Sequence, residues 1–106
     1  MQSLLIIGYV WPEPTATAAG SRMLQIIEQF QFAGYKITFA SPAQKPITAF
    51  DLNNIEVEQE TILLNDVSFD EFLRVLNPTV VLFDRFMMEE QFGWRVAEIC
   101  PDALRL

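Results

Sequence analysis

Residues 4–23 read LLIIGYVWPEPTATAAGSRM, a continuous apolar run, a Pro-rich loop and a small-residue opening to a helix. Leu4 to Ile7 are all branched and end at Gly8, the pattern of a strand buried on both faces, which belongs in a parallel sheet. The helix start beyond the loop leaves backbone N–H groups unpaired at the positive end of the macrodipole. Ala18, Ala19 and Gly20 leave space for a phosphate to approach that backbone. A phosphorylated ligand at this turn is the first expectation.

Two further runs, Ile37 to Ala40 and Val80 to Phe83, have the same continuous apolar character and complete a set of core strands. Between the first two, Met23, Ile26, Ile27 and Phe30 recur at helical spacing, and Gly34 stands where a C-terminal cap belongs. Ile55 to Thr61 alternates, with Glu56, Glu58 and Glu60 on one side and Ile55 and Val57 on the other, as suits an edge strand over Ile55–Gln59. Ser41 to Asn54, with Pro42 and Pro46, reads as an irregular loop. Ser68 with Glu71 reads as a capping box for a helix carrying Phe69, Phe72, Leu73 and Leu76, stopped at Asn77-Pro78. Glu89 to Cys100 predicts a third helix with Phe92, Val96 and Ile99 inward, and Ala103 to Leu106 the opening of a fifth strand.

Right-handed crossovers then give an α/β fold, a Rossmann-like doubly wound parallel sheet in a three-layer sandwich with strand order 3-2-1-4-5. Residues 1–106 form a single domain, and the expectation is that a longer, two-domain protein continues beyond it. Apolar surface left uncovered near the third helix would then favour self-association. Ligands in such sheets bind beyond the carboxyl ends of the strands where the winding reverses, here between Gly8–Arg22 and Asp84–Met88.

A net charge of −7 with seven Lys or Arg argues against nucleic acid, which needs a basic face, and against anionic membranes. The sequence holds no histidine and one cysteine, Cys100, so imidazole catalysis, the usual zinc sites and an internal disulfide all fall away. Met1-Gln2-Ser3 leads straight into the first strand without a basic leader, and no apolar run approaches the roughly 18–20 residues that span a bilayer. A cytoplasmic location is expected. No G-x-G-x-x-G or P-loop pattern occurs, which disfavours a dinucleotide and the P-loop nucleotide site.

Each candidate site residue has a functional and a plain reading. Gly20 either admits a phosphate or lets the helix pack closely on the strand. Arg22, read in the first turn of the first helix, opposes the dipole with no acid three or four residues away, so it needs an anionic ligand or a buried partner, unless it is simply solvated. Asp84 could bind an acceptor hydroxyl, act as a base or cap the backbone, and Arg85 could bind a ligand or pair with Glu89. Trp11 could stack on a sugar ring and Glu13 take its hydroxyls, or Trp11 could pack the loop down. Trp94 reads as core or domain interface, Cys100 as an inert buried thiol, and Phe86, Met87 and Met88 as core before interface.

Trp11-Pro12-Glu13-Pro14, Ala18-Ala19-Gly20 and Arg22 resemble the start of the N-terminal Rossmann-like domain of GT-B glycosyltransferases of the glycogen synthase, group 1 or family 4-like type. That pattern is an apolar strand, Phe/Trp-Pro-Pro-Glu, small residues with Gly, then Arg. The resemblance implies an intact protein that moves a sugar from a nucleotide-sugar donor to an acceptor sugar or lipid-linked acceptor, with this domain holding the acceptor. It implies a C-terminal domain, absent here, that binds the donor, no activity for this domain alone, and no metal or other cofactor. The alternative is a non-catalytic Rossmann or flavodoxin-like module that binds a phosphorylated small molecule or a protein partner. A receiver domain fits poorly, since Gly8-Tyr9 stands where an acidic pair belongs.

Overall fold

In the computed structural model, which describes residues 2–12, 18–46, 49 and 51–106 and only the backbone at 18–20, the chain alternates strand and helix throughout. The strands are β1 (Ser3–Ile7), β2 (Lys36–Ser41), β3 (Glu58–Thr61), β4 (Val80–Phe83) and β5 (Leu104–Arg105). The helices are α1 (Ala18–Phe32), α2 (Val67–Leu76) and α3 (Phe86–Ile99). All four pairings are parallel and the order is β3-β2-β1-β4-β5, as right-handed crossovers predict. No helix is long and apolar enough to cross a membrane, among the described residues.

Alternate residues of the central strands serve opposite layers, which is why their runs are apolar throughout. Leu4, Ile6, Ile37 and Phe39 pack with Met23 and Ile27 of α1, whereas Leu5, Ile7, Val81 and Phe83 pack with α2 and α3 through Phe69, Leu73, Met88, Phe92 and Val96. Burying a side chain of this size stabilises by about 1.5–3 kcal/mol, so these two clusters hold the sheet between its helical layers.

α1 ends as the sequence predicts. Gly34 sits at φ 92°, Tyr35 N donates to Phe30 O (3.0 Å) and Gly34 N to Gln31 O (2.9 Å). This is a Schellman cap, and the Phe30 and Tyr35 rings close it edge to face at 5.1 Å.

Three boundaries differ from expectation. The edge strand begins at Glu58, not Ile55, because Leu52–Ile55 coil into a 3-10 turn capped by Asp51 and Glu56 turns the corner at φ 61°. Val57 and Leu52 are buried there, so the alternation read around Ile55 marks a corner with a packed inner side. α2 begins one residue before Ser68. Asp66 is its N-cap, accepting from Ser68 N at 2.8 Å, while Glu71 pairs with Arg74 at 2.8 Å in place of closing a capping box. α3 starts at Phe86, three residues before Glu89, after an N-cap that has no side-chain cap bond and gives no sequence signal.

The Asp66 cap has a pH signature. Its hydrogen bonds from Ser68 hold the carboxyl below its ordinary value, so its contribution is fully present above the unfolded carboxyl range, about pH 4. It is lost as pH falls through the lower folded value. Asp66→Ala should therefore lower the melting temperature at neutral pH and flatten its decline on acidification; equal melting temperatures for variant and parent at pH 7 would contradict this role.

Candidate functional site

The carboxyl ends of β1 and β4 lie side by side, since Ile7 pairs with Phe83 and Asp84 N donates to Ile7 O at 2.9 Å. β2 lies on the other side of β1, with Gly8 N donating to Ala40 O at 2.8 Å. The winding reverses between β1 and β4. The chain leaves β1 through Gly8 and Tyr9 and leaves β4 through Asp84 and Arg85, so these four residues flank the crevice where ligands of such sheets bind.

The two loops meet directly. The Arg85 guanidinium lies over the Tyr9 ring, 5.2 Å from its centroid, and does not pair with Glu89. Both side chains are exposed, Tyr9 at 40%. Arg85 also carries the most unusual backbone of the described residues, φ 77° and ψ 146°, next to a region adopted almost solely by glycine. Glu56, Asn65 and Asn77 also have positive φ, at 61°, 56° and 46°, but these values fit the ordinary left-handed well of turns and caps. Asp84 is half-buried, and among the described residues its side chain has no hydrogen bond or ion pair.

Trp11 is 3% exposed. Its Nε1 donates to Ala43 O at 2.8 Å, its ring lies 5.4 Å from Phe39, and Lys45 Nζ covers it at 5.5 Å. The indole ties the β1 loop to the segment after β2, which is the plain reading of this residue. Arg22 is exposed and is the fifth residue of α1, so it stands in the second turn, not the first. Gly20 lies in the first turn of α1, and Glu13 falls outside the described residues. The topology thus places Asp84 and Arg85 at the crevice with Tyr9, a residue not singled out from the sequence.

Other hollows lie elsewhere on the described surface. One of about 640 Å³, lined by Gln31, Gly34, Tyr35, Lys36 and Asn54, opens at the amino end of β2, away from the crevice. Trp94 is exposed on α3 beneath the Arg95 guanidinium, 4.7 Å away, and Phe86 is exposed at the helix start. Met88 is fully buried and Met87 partly so. Cys100 is buried, and burial pushes its thiol above the ordinary value, so thiolate chemistry is disfavoured. No protein-family model, curated protein or solved structure matches this chain.

Proposed function

We propose that the chain is the acceptor-side domain of a GT-B glycosyltransferase, working with a C-terminal domain that binds the nucleotide-sugar donor. The observation that carries this reading is the position of the Pro-rich loop. Its described beginning, residues 8–12, leaves β1 at the reversal point of a 3-2-1-4-5 sheet, where Tyr9 meets Arg85 of the Asp84-Arg85 turn. The motif resemblance falls on that same loop. In this reading Arg22 and Arg85 supply positive potential to an otherwise acidic chain, and Asp84 accepts from an acceptor hydroxyl.

The full open reading frame tests the reading first, since it should encode a second Rossmann-like domain carrying a Glu-x7-Glu pattern. The purified product should transfer sugar from a nucleotide-sugar donor. Arg22→Ala and Arg85→Ala should each lower kcat/KM by about tenfold or more, the loss of a charge-assisted hydrogen bond of roughly 1.5–3 kcal/mol, with melting curves unchanged or raised. A frame without a donor domain would favour a non-catalytic module for a phosphorylated ligand. Unchanged kinetics in both folded variants would remove these arginines from the site.

A further inference from the structure

Arg85 occupies a conformation that glycine would adopt without strain, yet it carries a long cationic side chain that ends on the Tyr9 ring. Strain of this kind persists where the surrounding structure imposes it, and it clusters at ligand-binding sites. Among the described residues no carboxylate pairs with the Arg85 guanidinium; all three ion pairs lie elsewhere. Stacking on Tyr9 uses one face of the planar cation. Among the described residues its edge N–H groups, which suit bidentate binding of an oxyanion, have no protein acceptor.

Asp84 stands beside it at the end of β4 with a carboxylate that also lacks a partner among the described residues. A bare anion held by Arg85 would be repelled by that neighbour. A molecule carrying both a phosphate and hydroxyl groups satisfies both residues, the phosphate on Arg85 and a hydroxyl donating to Asp84. We infer that the crevice between Tyr9 and the Asp84-Arg85 turn selects a sugar phosphate as the acceptor, a substrate class that rests on the transferase reading above. Arg85 binds the phosphate and Tyr9 positions the guanidinium. The net charge of −7 opposes approach to an anionic membrane, so the phosphate belongs to a soluble sugar and not to a lipid headgroup.

Amide chemical-shift titration of this chain with glucose 6-phosphate and with methyl glucoside tests the assignment. Glucose 6-phosphate should perturb Tyr9, Asp84 and Arg85 and bind at least tenfold more tightly than the neutral glycoside. Arg85→Gly should weaken glucose 6-phosphate binding at least tenfold while holding or raising the melting temperature, since it relieves the strain and keeps the fold. Tyr9→Phe, which keeps the ring, should bind within about twofold of the parent, and Tyr9→Ala should bind several-fold more weakly. Vesicles of phosphatidylglycerol should not sediment the chain.

Undiminished binding by Arg85→Gly, or shifts confined to Lys36 and Lys45, would overturn the inference. Vesicle binding that depends on Arg85 would also overturn it, in favour of a lipid headgroup. Equal affinity for glucose 6-phosphate and methyl glucoside would remove the phosphate preference and leave the transferase reading intact. Failure of that reading shows separately, as a full-length protein that transfers no sugar.

Discussion

Asp70→Ala should destabilise the chain by about 3 kcal/mol, the low end of what breaking a buried ion pair costs. Arg95 Nη1 on α3 lies 2.9 Å from both carboxylate oxygens of Asp70 on α2, and it also reaches Asp66 O at 3.3 Å. The two side chains are 12% and 19% exposed, so water reaches them only partly. Arg95 Nε is already buried without a partner among the described residues. Removing Asp70 leaves a guanidinium with one weak acceptor between two packed helices, and takes an acid from the first turn of α2, where it favours the dipole.

For a domain of this size the shift corresponds to a melting temperature roughly 10–20 °C lower. Asp70→Asn, which retains a neutral acceptor, should fall between the two, and the double replacement Asp70→Leu with Arg95→Met should recover most of the loss, because no charge remains buried. Urea unfolding at neutral pH measures each value. A change below about 0.5 kcal/mol in Asp70→Ala, the range of surface substitutions, would show that the pair is solvated in solution.

The sheet was legible because its central strands are covered on both faces, which leaves an uninterrupted apolar signal at Leu4–Ile7, Ile37–Ala40 and Val80–Phe83. Crossover handedness then limits the order to very few arrangements, and the observed order follows. Local competition hid the rest. Asp66 and Ser68 are both good capping residues two positions apart, and the carboxylate takes the cap, a choice that spacing alone does not decide.

Topology alone brought Asp84 and Arg85 to the crevice, but no propensity assigns φ 77° to an arginine or predicts that a tyrosine from another loop will lie under it. Trp11 shows the converse. An aromatic in a loop over a crevice suggests stacking on a ligand, whereas its indole N–H finds Ala43 O, a partner 32 residues away. Position along the chain reveals which end of the sheet a residue occupies, but the direction of its side chain depends on contacts remote in sequence.

Gly8→Ala should cost about 1–3 kcal/mol through overpacking and should disturb the crevice as well as the core. A Cβ at position 8 would lie 2.3 Å from Phe39 Cζ, closer than real Cβ atoms approach a neighbour, and 3.0 Å from both Cε atoms, a tight contact. The Phe39 ring cannot retreat easily: it is fully buried, Trp11 packs against it, and Trp11 is itself fixed by its bond to Ala43. Gly8 is also tied to β2 by its N–H bond to Ala40 O, the residue after Phe39. The methyl must therefore move β1 and β2 apart or force the ring off its rotamer, and Tyr9, the next residue, moves with the backbone. A compensating Phe39→Leu makes room, so the double variant should be less destabilised than the sum of the singles, with a coupling energy on the order of 1 kcal/mol. Denaturant unfolding of all four proteins measures that coupling, and amide shifts of Tyr9 and Arg85 report the crevice. Strict additivity, with those amides unmoved in Gly8→Ala, would show that the ring yields freely and that Gly8 is not what sets the height of the β1 loop over the site.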